Sequence, residues 1–342
     1  MTQTITIFQP YIKAVGRGEK LKRDLTYDES VEAMRLMMRR EATDAQIGGF
    51  LIAQRVKGEA VDEINGFTDL VRNEFIRALH PKVDDLLDLA VPYDGKAKTA
   101  QFAPAIAILL AEAGVPVLLH GDVNVPTKEG VGPGDVLASL GIPSNLPLKQ
   151  VEQMIETVGF GYVSAGQYVP EWHALMPIRR QFGLRTLLNT VEKFFNPANA
   201  PYQISGFFHG NYIERIRTSQ TGQKQSWMVQ GEEGSVEMSS GKRTHIFAVE
   251  AEDDVILAPE TVGLAKRERI LIEPKVDKHT EINTQILAGQ SGAAADQVIF
   301  TTATILHLLN AVTNVNEGMA QVRMSIKSGK SIARLDRARS IL

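Results

Sequence analysis

The 342-residue chain contains no cysteine. Disulfides, thiolate zinc sites and a cysteine nucleophile are thereby excluded, and a cytoplasmic location is expected. Every apolar run is broken by glycine, proline or charge within a few turns, so no membrane span is expected. The opening stretch MTQTITIFQPYIKAVGRGEK lacks a basic start, an apolar core and a small-residue cleavage site, so it does not read as a secretory leader. An excess of one charge is missing too. Lys and Arg number 37 against 40 Asp and Glu, a net charge of −3. Nucleic acid would therefore have to be met by a local patch rather than by the molecule as a whole. There is no GxGxxG, no Walker loop and no nucleophile elbow, which leaves nothing to support a dinucleotide site, a P-loop or a hydrolase triad.

What is present is a chain with 44% hydrophobic residues, enough for one large or two modest cores. The first part reads as helices. Thr43-Asp44-Ala45-Gln46 has capping-box spacing, with Ile47, Phe50 and Leu51 on one face behind it. After Lys57-Gly58-Glu59 the same period returns in Val61, Ile64, Phe67, Leu70 and Val71. From about Leu86 the pattern changes to short apolar runs between helical stretches: LLDLAV, VPVLLH, QISGFF, SWMVQG and HIFAVE. Alternation of this kind predicts a mostly parallel sheet with helices on both faces. The segment PEWHALMPIRRQFGLRTLLNTVEKFFNPANAPY interrupts it with helical character. The expected organisation is a small helical domain over residues 1–80 joined by hinge helices within 168–195, and a larger α/β domain over 81–167 and 196–342.

The stretch LAVPYDGKAKTAQFAPAIAILLAEAGVPVLLHG reads as strand, loop, helix and strand. Its loop, Asp94, Gly95, Lys96, Lys98 and Thr99 included, leads to a helix N-terminus. Such a terminus offers free backbone N–H groups and a positive dipole end to an anion.

Four blocks in order carry a resemblance over nearly the whole chain: ATDAQIGGFLIAQRVKGEAVDEINGF, GVPVLLHGD with GPGDVLASLGI, WHALMPIRRQFGLRTLLNTVEKFFNPA, and the C-terminal LAGQSGAAADQVIFTTATILHLLNAVTNVNEGMAQVRMSIKSGKSIARLDRAR. They resemble the anthranilate phosphoribosyltransferase-like group, which shares its fold with the class II nucleoside phosphorylases. The resemblance implies a small helical domain, an α/β domain with a mostly parallel sheet, and a homodimer through the helical domain. Phe8, Tyr11, Ile12, Met34, Met37 and Met38 are the apolar side chains offered to that interface.

The same resemblance exposes departures. The family's glycine-rich Gly-Thr-Gly-Gly-Asp-type loop is VPYDGKAKT here, with Gly95 its one glycine. Close backbone approach to a diphosphate needs glycine, so Lys96, Lys98 and Thr99 are left to meet a single phosphate with side chains, or simply to be solvated. The family's Lys-His-Gly turn is Leu119-His120-Gly121, and the Asn-Arg after it is Asp122-Val123. The Asp-Glu pair that binds magnesium in the enzymes aligns with Val236-Glu237, so no dedicated metal site is expected and magnesium is supported only through Glu237. Glu232-Glu233 beside it reads as a solvated loop or a metal site, and Asp253-Asp254 as a turn. Arg179 matches the arginine that meets the anthranilate carboxylate, and His173 and Arg185 also match; the alternative is that Arg179, Arg180 and Arg185 buttress the domain hinge. Asp94, Gly95, Lys96, Lys98, Thr99, His120, Gly121, Arg179 and Glu237 are thus the expected remnants of a substrate pocket. No catalytic residue is assigned among them, and anthranilate phosphoribosyltransferase activity is expected to be absent.

Basic clusters break the near-neutral balance: Arg215 with Arg217, Lys242-Arg243, Lys266-Arg267 with Arg269, and runs near both ends of the chain. A branch of the family with an altered loop is associated with DNA and RNA binding. The expected function is non-specific nucleic-acid binding in a groove formed by Lys193, Arg215, Arg217, Lys242 and Arg243. The alternative is a transferase or phosphorylase for a different phosphorylated sugar or nucleoside.

Overall fold

The structure, a computed structural model, describes residues 6–208, 213, 216–217, 223–249 and 254–342. Arg215 and Asp253 lie outside the described residues. The N-terminal part is a helical bundle: Gln9–Gly16, Tyr27–Met38, Asp44–Lys57 and Val61–Leu70. Its third helix starts as its sequence dictates. Thr43 Oγ1 accepts from the Gln46 N–H while Gln46 Oε1 accepts from the Thr43 N–H, satisfying two of the orphan donors of the first turn. Ile47, Phe50 and Leu51 are then fully buried. Thr43→Ala is expected to lower stability by about 1 kcal/mol, measurable as a shifted urea midpoint with an unchanged slope.

Among the described residues the α/β part holds one sheet of seven strands: β1 (Leu87–Ala90), β2 (Val117–Gly121), β3 (Phe160–Ser164), β4 (Tyr202–Gly206), β5 (Gln225–Val229), β6 (Thr244–Ala248) and β7 (Val255–Leu257). Their spatial order is β3-β2-β1-β4-β5-β6-β7, parallel as far as β5 and antiparallel beyond it. The five expected runs all form strands. Two more, β3 and β7, were not among them: FGYVS carries a glycine at its second position, and VIL is only three residues of an exposed edge. The central strands are buried on both faces, as parallel strands between helical layers must be. Helix Ala103–Glu112 is apolar on every side because it is sandwiched, resting on β2 and covered by Ala293–Leu308 and Lys330–Ser340.

The segment after β3 is a chain of short helices, Met176–Phe182 and Leu188–Val191 among them. The first packs on Asp44–Lys57 and the second on Val61–Leu70, so the chain does return to the bundle. The bundle leaves less apolar surface than its sequence suggests. Phe8, Met34, Met37 and Met38 are fully covered within the chain, and Tyr11 and Ile12 are partly so. The side chains left exposed in this region are Ile7, Leu21, Tyr27 and Val56 instead. Among the described residues no helix is long and apolar enough to cross a membrane.

Candidate functional site: a filled anion loop and a cleft

The loop after β1 is where an anion site was expected, and its groups are spent internally. Gly95 has φ +78°, and a Cβ there would fall 2.2 Å from the Gly130 carbonyl oxygen. Its freedom serves backbone packing: the Lys96 and Val131 N–H groups each donate to the other's carbonyl at 3.0 Å, and Gly130 N–H donates to Asp94 at 2.9 Å. Lys96 is no ligand-facing cation. It is completely buried, with Nζ 2.7 Å from Glu237 Oε2, 2.7 Å from the Glu232 carbonyl and 2.8 Å from Ser235 Oγ. All three ammonium protons have acceptors.

Glu237 is equally committed. Besides Lys96 it accepts from the Phe102 N–H at 2.9 Å and from Ser235 Oγ. Val236 beside it is buried and offers no oxygen. A magnesium ion takes oxygen ligands in a near-octahedral set, and a carboxylate saturated by a lysine and two donors does not fit it. Among the described residues no three His, Asp or Glu side chains converge as a metal-ion set.

The helix N-terminus is closed in the same way. Gln101 N–H donates to His279 Nδ1 at 3.0 Å and Ala105 N–H to Asn283 Oδ1 at 3.2 Å. Burial pulls the His279 imidazole below its ordinary value, which keeps it neutral, as an acceptor nitrogen must be.

What occupies the loop is a carboxylate of the chain itself. Glu233 accepts from the N–H groups of Ala97, Lys98 and Thr99 at 3.3, 3.0 and 2.8 Å, and from Thr99 Oγ1 at 2.9 Å. Lys128 Nζ stands 3.3 Å away. Burial raises the Glu233 carboxyl, but the Thr99 donors and the Lys128 charge outweigh it and hold it at about 2. Asp94 lies next to it, bound by Arg185 through two nitrogens at 2.7 and 3.0 Å and by Lys128 at 3.3 Å. Neither Glu233 nor Lys128 announced this role in the sequence, because the contacts span more than a hundred residues.

A cleft of about 500 Å³ opens beside these groups, lined by Asp94, Arg185, Asn189, Lys193, Phe207 and Glu233 among others. Lys193 sits half-buried in it, donating to the Gly206 carbonyl and lying 4.8 Å from the Phe207 ring centre. Burial pulls its amine down to about 8. Other expected pocket residues stay out. Arg179 is buried and bidentate to Glu192 at 2.7 and 2.9 Å, with Trp172 Nε1 donating to the same carboxylate; its guanidinium fastens the hinge and does not line the cleft. His120 is wholly buried, 3.2 Å from Tyr168 Oη and 3.3 Å from Asp88 Oδ2. Gly121 approaches the Val91 carbonyl. Asp122 instead pairs with His173 at 2.6 Å, and that hydrogen bond raises the imidazole above its ordinary value. Lys98 contributes its N–H to Glu233 while its side chain is exposed.

The expected basic groove does not assemble as drawn. Lys193 belongs to the cleft, and Arg217 is neutralised by Asp254 at 2.7 Å and lies over Phe247. Lys242 instead lines a separate groove of about 660 Å³ with Lys266, Arg267, Arg269 and Leu271, and with one carboxylate, Glu268, among the cations. Arg267 approaches Asp296 at 3.8 Å and Arg269 approaches Glu232 at 3.0 Å. Lys242, Arg243 and Lys266 are exposed, as is Leu271.

Residues 9–74 match the helical bundle domain of the glycosyl transferase family and residues 95–332 its a/b domain. Anthranilate phosphoribosyltransferases of Symbiobacterium thermophilum and Petrotoga mobilis are 32% and 31% identical to the chain, covering 96% of it and 97% and 95% of their own lengths. The crystal structure of anthranilate phosphoribosyltransferase from Thermus thermophilus superposes with a TM-score of 0.84 at 26% identity, covering 98% of each chain. The yeast enzyme solved with phosphoribosyl pyrophosphate and magnesium shares the fold, with a TM-score of 0.81 at 18% identity and 98% coverage of both chains. With both domains matched in order and relatives above 30% identity along almost its whole length, the chain belongs to the glycosyl transferase family, among the anthranilate phosphoribosyltransferase-like proteins.

Proposed function

We propose that the chain binds nucleic acid through the groove of Lys242, Lys266, Arg267 and Arg269, and does not transfer phosphoribosyl groups to anthranilate. The observation that carries this reading is the pairing of a filled anion loop with a separate, open basic groove. A diphosphate would have to displace Glu233, and Lys96 and Glu237 would be unable to help because each satisfies the other. In the groove the exposed Lys242 and Lys266 make no such demand, while Arg269 and Arg267 already face Glu232 and Asp296. The groove's cations meet phosphates along a strand, and exposed Leu271 offers an apolar surface beside them. A homodimer through the helical bundle is part of the proposal, supported by the exposed Ile7, Leu21 and Val56; light scattering at micromolar concentration tests it.

For duplex DNA, log affinity should fall against log salt by about 0.9 per phosphate contact. Replacing Lys242 and Lys266 with alanine is expected to flatten that slope by roughly 1.8 and to weaken scrambled sequences evenly, since phosphate contacts position without specifying. Binding that is absent at low salt, or that survives high salt with a sharp sequence preference, overturns the reading. A second reading rests on the cleft and its amine at Lys193: transfer or phosphorolysis on a different phosphorylated sugar or nucleoside. The two separate in one paired experiment. Phosphoribosyl-anthranilate formation with magnesium is expected at background, while turnover of other phosphorylated sugars or nucleosides without nucleic-acid binding would favour the second.

A further inference from the structure

Three consecutive N–H groups converging on one point make a concave anion nest. In residues 97–99 the point of convergence holds the Glu233 carboxylate, with Thr99 Oγ1 and Lys128 Nζ completing the set. Delivering that carboxylate costs the chain backbone freedom. Glu233 sits at φ +54°, a left-handed conformation that is unfavourable for a non-glycine residue. The turn around it is fixed by two glycines: a Cβ at Gly231 would fall 2.1 Å from the Ser235 carbonyl oxygen, and Gly234 has φ +81°. A solvated loop glutamate would need neither the strain nor the five donors.

We infer that residues 97–99 with Lys128 form a working anion site held closed by Glu233, which acts as a tethered competitor for a single phosphate group. The inference goes beyond the nucleic-acid reading and does not depend on it. The ligand class is a phosphate monoester or inorganic phosphate, because the donors suffice for one tetrahedral anion. Asp94, which shares Lys128 with Glu233, adds a negative charge beside the nest that disfavours the larger charge of a diphosphate. In the native chain the competing carboxylate is part of the same molecule. A tethered group acts at a millimolar or higher effective concentration, so free phosphate at ordinary concentrations does not displace it.

The test uses the full chain in four forms: wild type, Glu233→Ala, Glu233→Gln, and Glu233→Ala combined with Lys128→Met. Inorganic phosphate is titrated at constant ionic strength against chloride, with thermal unfolding and calorimetry as readouts and acetate as a second probe. Acetate carries the carboxylate that the alanine variant has lost. Glu233→Ala should bind phosphate saturably and at least tenfold more tightly than wild type, and acetate should raise its Tm but not that of wild type. Adding Lys128→Met should weaken phosphate at least tenfold. A folded Glu233→Ala protein whose phosphate response equals that of wild type overturns the proposal. If the alanine variant does not fold, Glu233→Gln decides. Its neutral amide competes less well, so phosphate binding above the wild-type level supports the inference and an unchanged response overturns it. Inorganic pyrophosphate binding more than tenfold tighter than phosphate would overturn the single-phosphate assignment.

Discussion

Lys96→Met is expected to destabilise the protein by about 3 to 5 kcal/mol, the usual cost of stranding one member of a buried ion pair. Methionine keeps most of the volume of the lysine stem, so the loss is chiefly electrostatic. Glu237 is almost completely buried and would keep only the Phe102 N–H and the Ser235 hydroxyl against its charge. The carbonyl of Glu232 would lose its ammonium donor at the same time. Adding Glu237→Gln to Lys96→Met should recover much of the loss, since no charge then remains buried. The double-mutant cycle, measured by urea denaturation, isolates the coupling. Had Lys96 been a solvated loop lysine waiting for a ligand, its replacement would stay within about 0.5 kcal/mol. The experiment thus decides between the residue's two readings by stability alone.

That lysine also shows where sequence reasoning reaches its limit. Periodicity and capping are local. The Thr43 cap, the buried face of Ile47, Phe50 and Leu51, and the five central strands were legible because each is set by neighbours within a few residues. The family's order of blocks carried the two-domain fold further. The site was legible only as a list of missing parts. A loop with one glycine and an Asp-Glu pair reduced to Val236-Glu237 says what cannot be held there, but not what fills the space. The answer lies in contacts across 134 to 136 residues, where Glu233 and Glu232 reach the loop from beyond β5. Nothing in the run Gly231-Glu232-Glu233-Gly234 distinguishes a solvated turn from a tethered anion until its donors are seen. Arg179 could be read two ways for a related reason. The resemblance gives it a carboxylate ligand and its place in the hinge a buttressing role, and the carboxylate it binds is that of Glu192 thirteen residues away. The basic clusters were visible one at a time. Only the fold could bring Lys242 to Lys266, Arg267 and Arg269, and could assign Arg217 to Asp254.

The wild type should exceed Glu233→Gln in stability at pH 7 by about 2 to 3 kcal/mol, and this advantage should vanish towards pH 2. The Glu233 carboxyl is held at about 2 in the folded chain against 4.5 as its ordinary value. A carboxyl depressed by folding contributes stability in full above its unfolded value and loses it as pH falls through the folded one. Each pKa unit corresponds to about 1.4 kcal/mol, and the lower end of the range allows for partial solvent access to the side chain and for hydrogen bonds that glutamine retains. The window is therefore pH 4.5 down to 2. Glu29 is likewise depressed to about 2 by the hydrogen bonds of Arg23, but it titrates in both proteins and cancels in their difference. Lys128 keeps Asp94 as a partner in the variant, so its charge is not stranded. Urea unfolding of both proteins at pH 7, 4.5, 3 and 2 checks the expectation. A gap that is constant across these values would mean that shape, not charge, is what Glu233 supplies. A gap that closes through the window would mean that the nest discriminates for an anion, the property on which its response to phosphate depends.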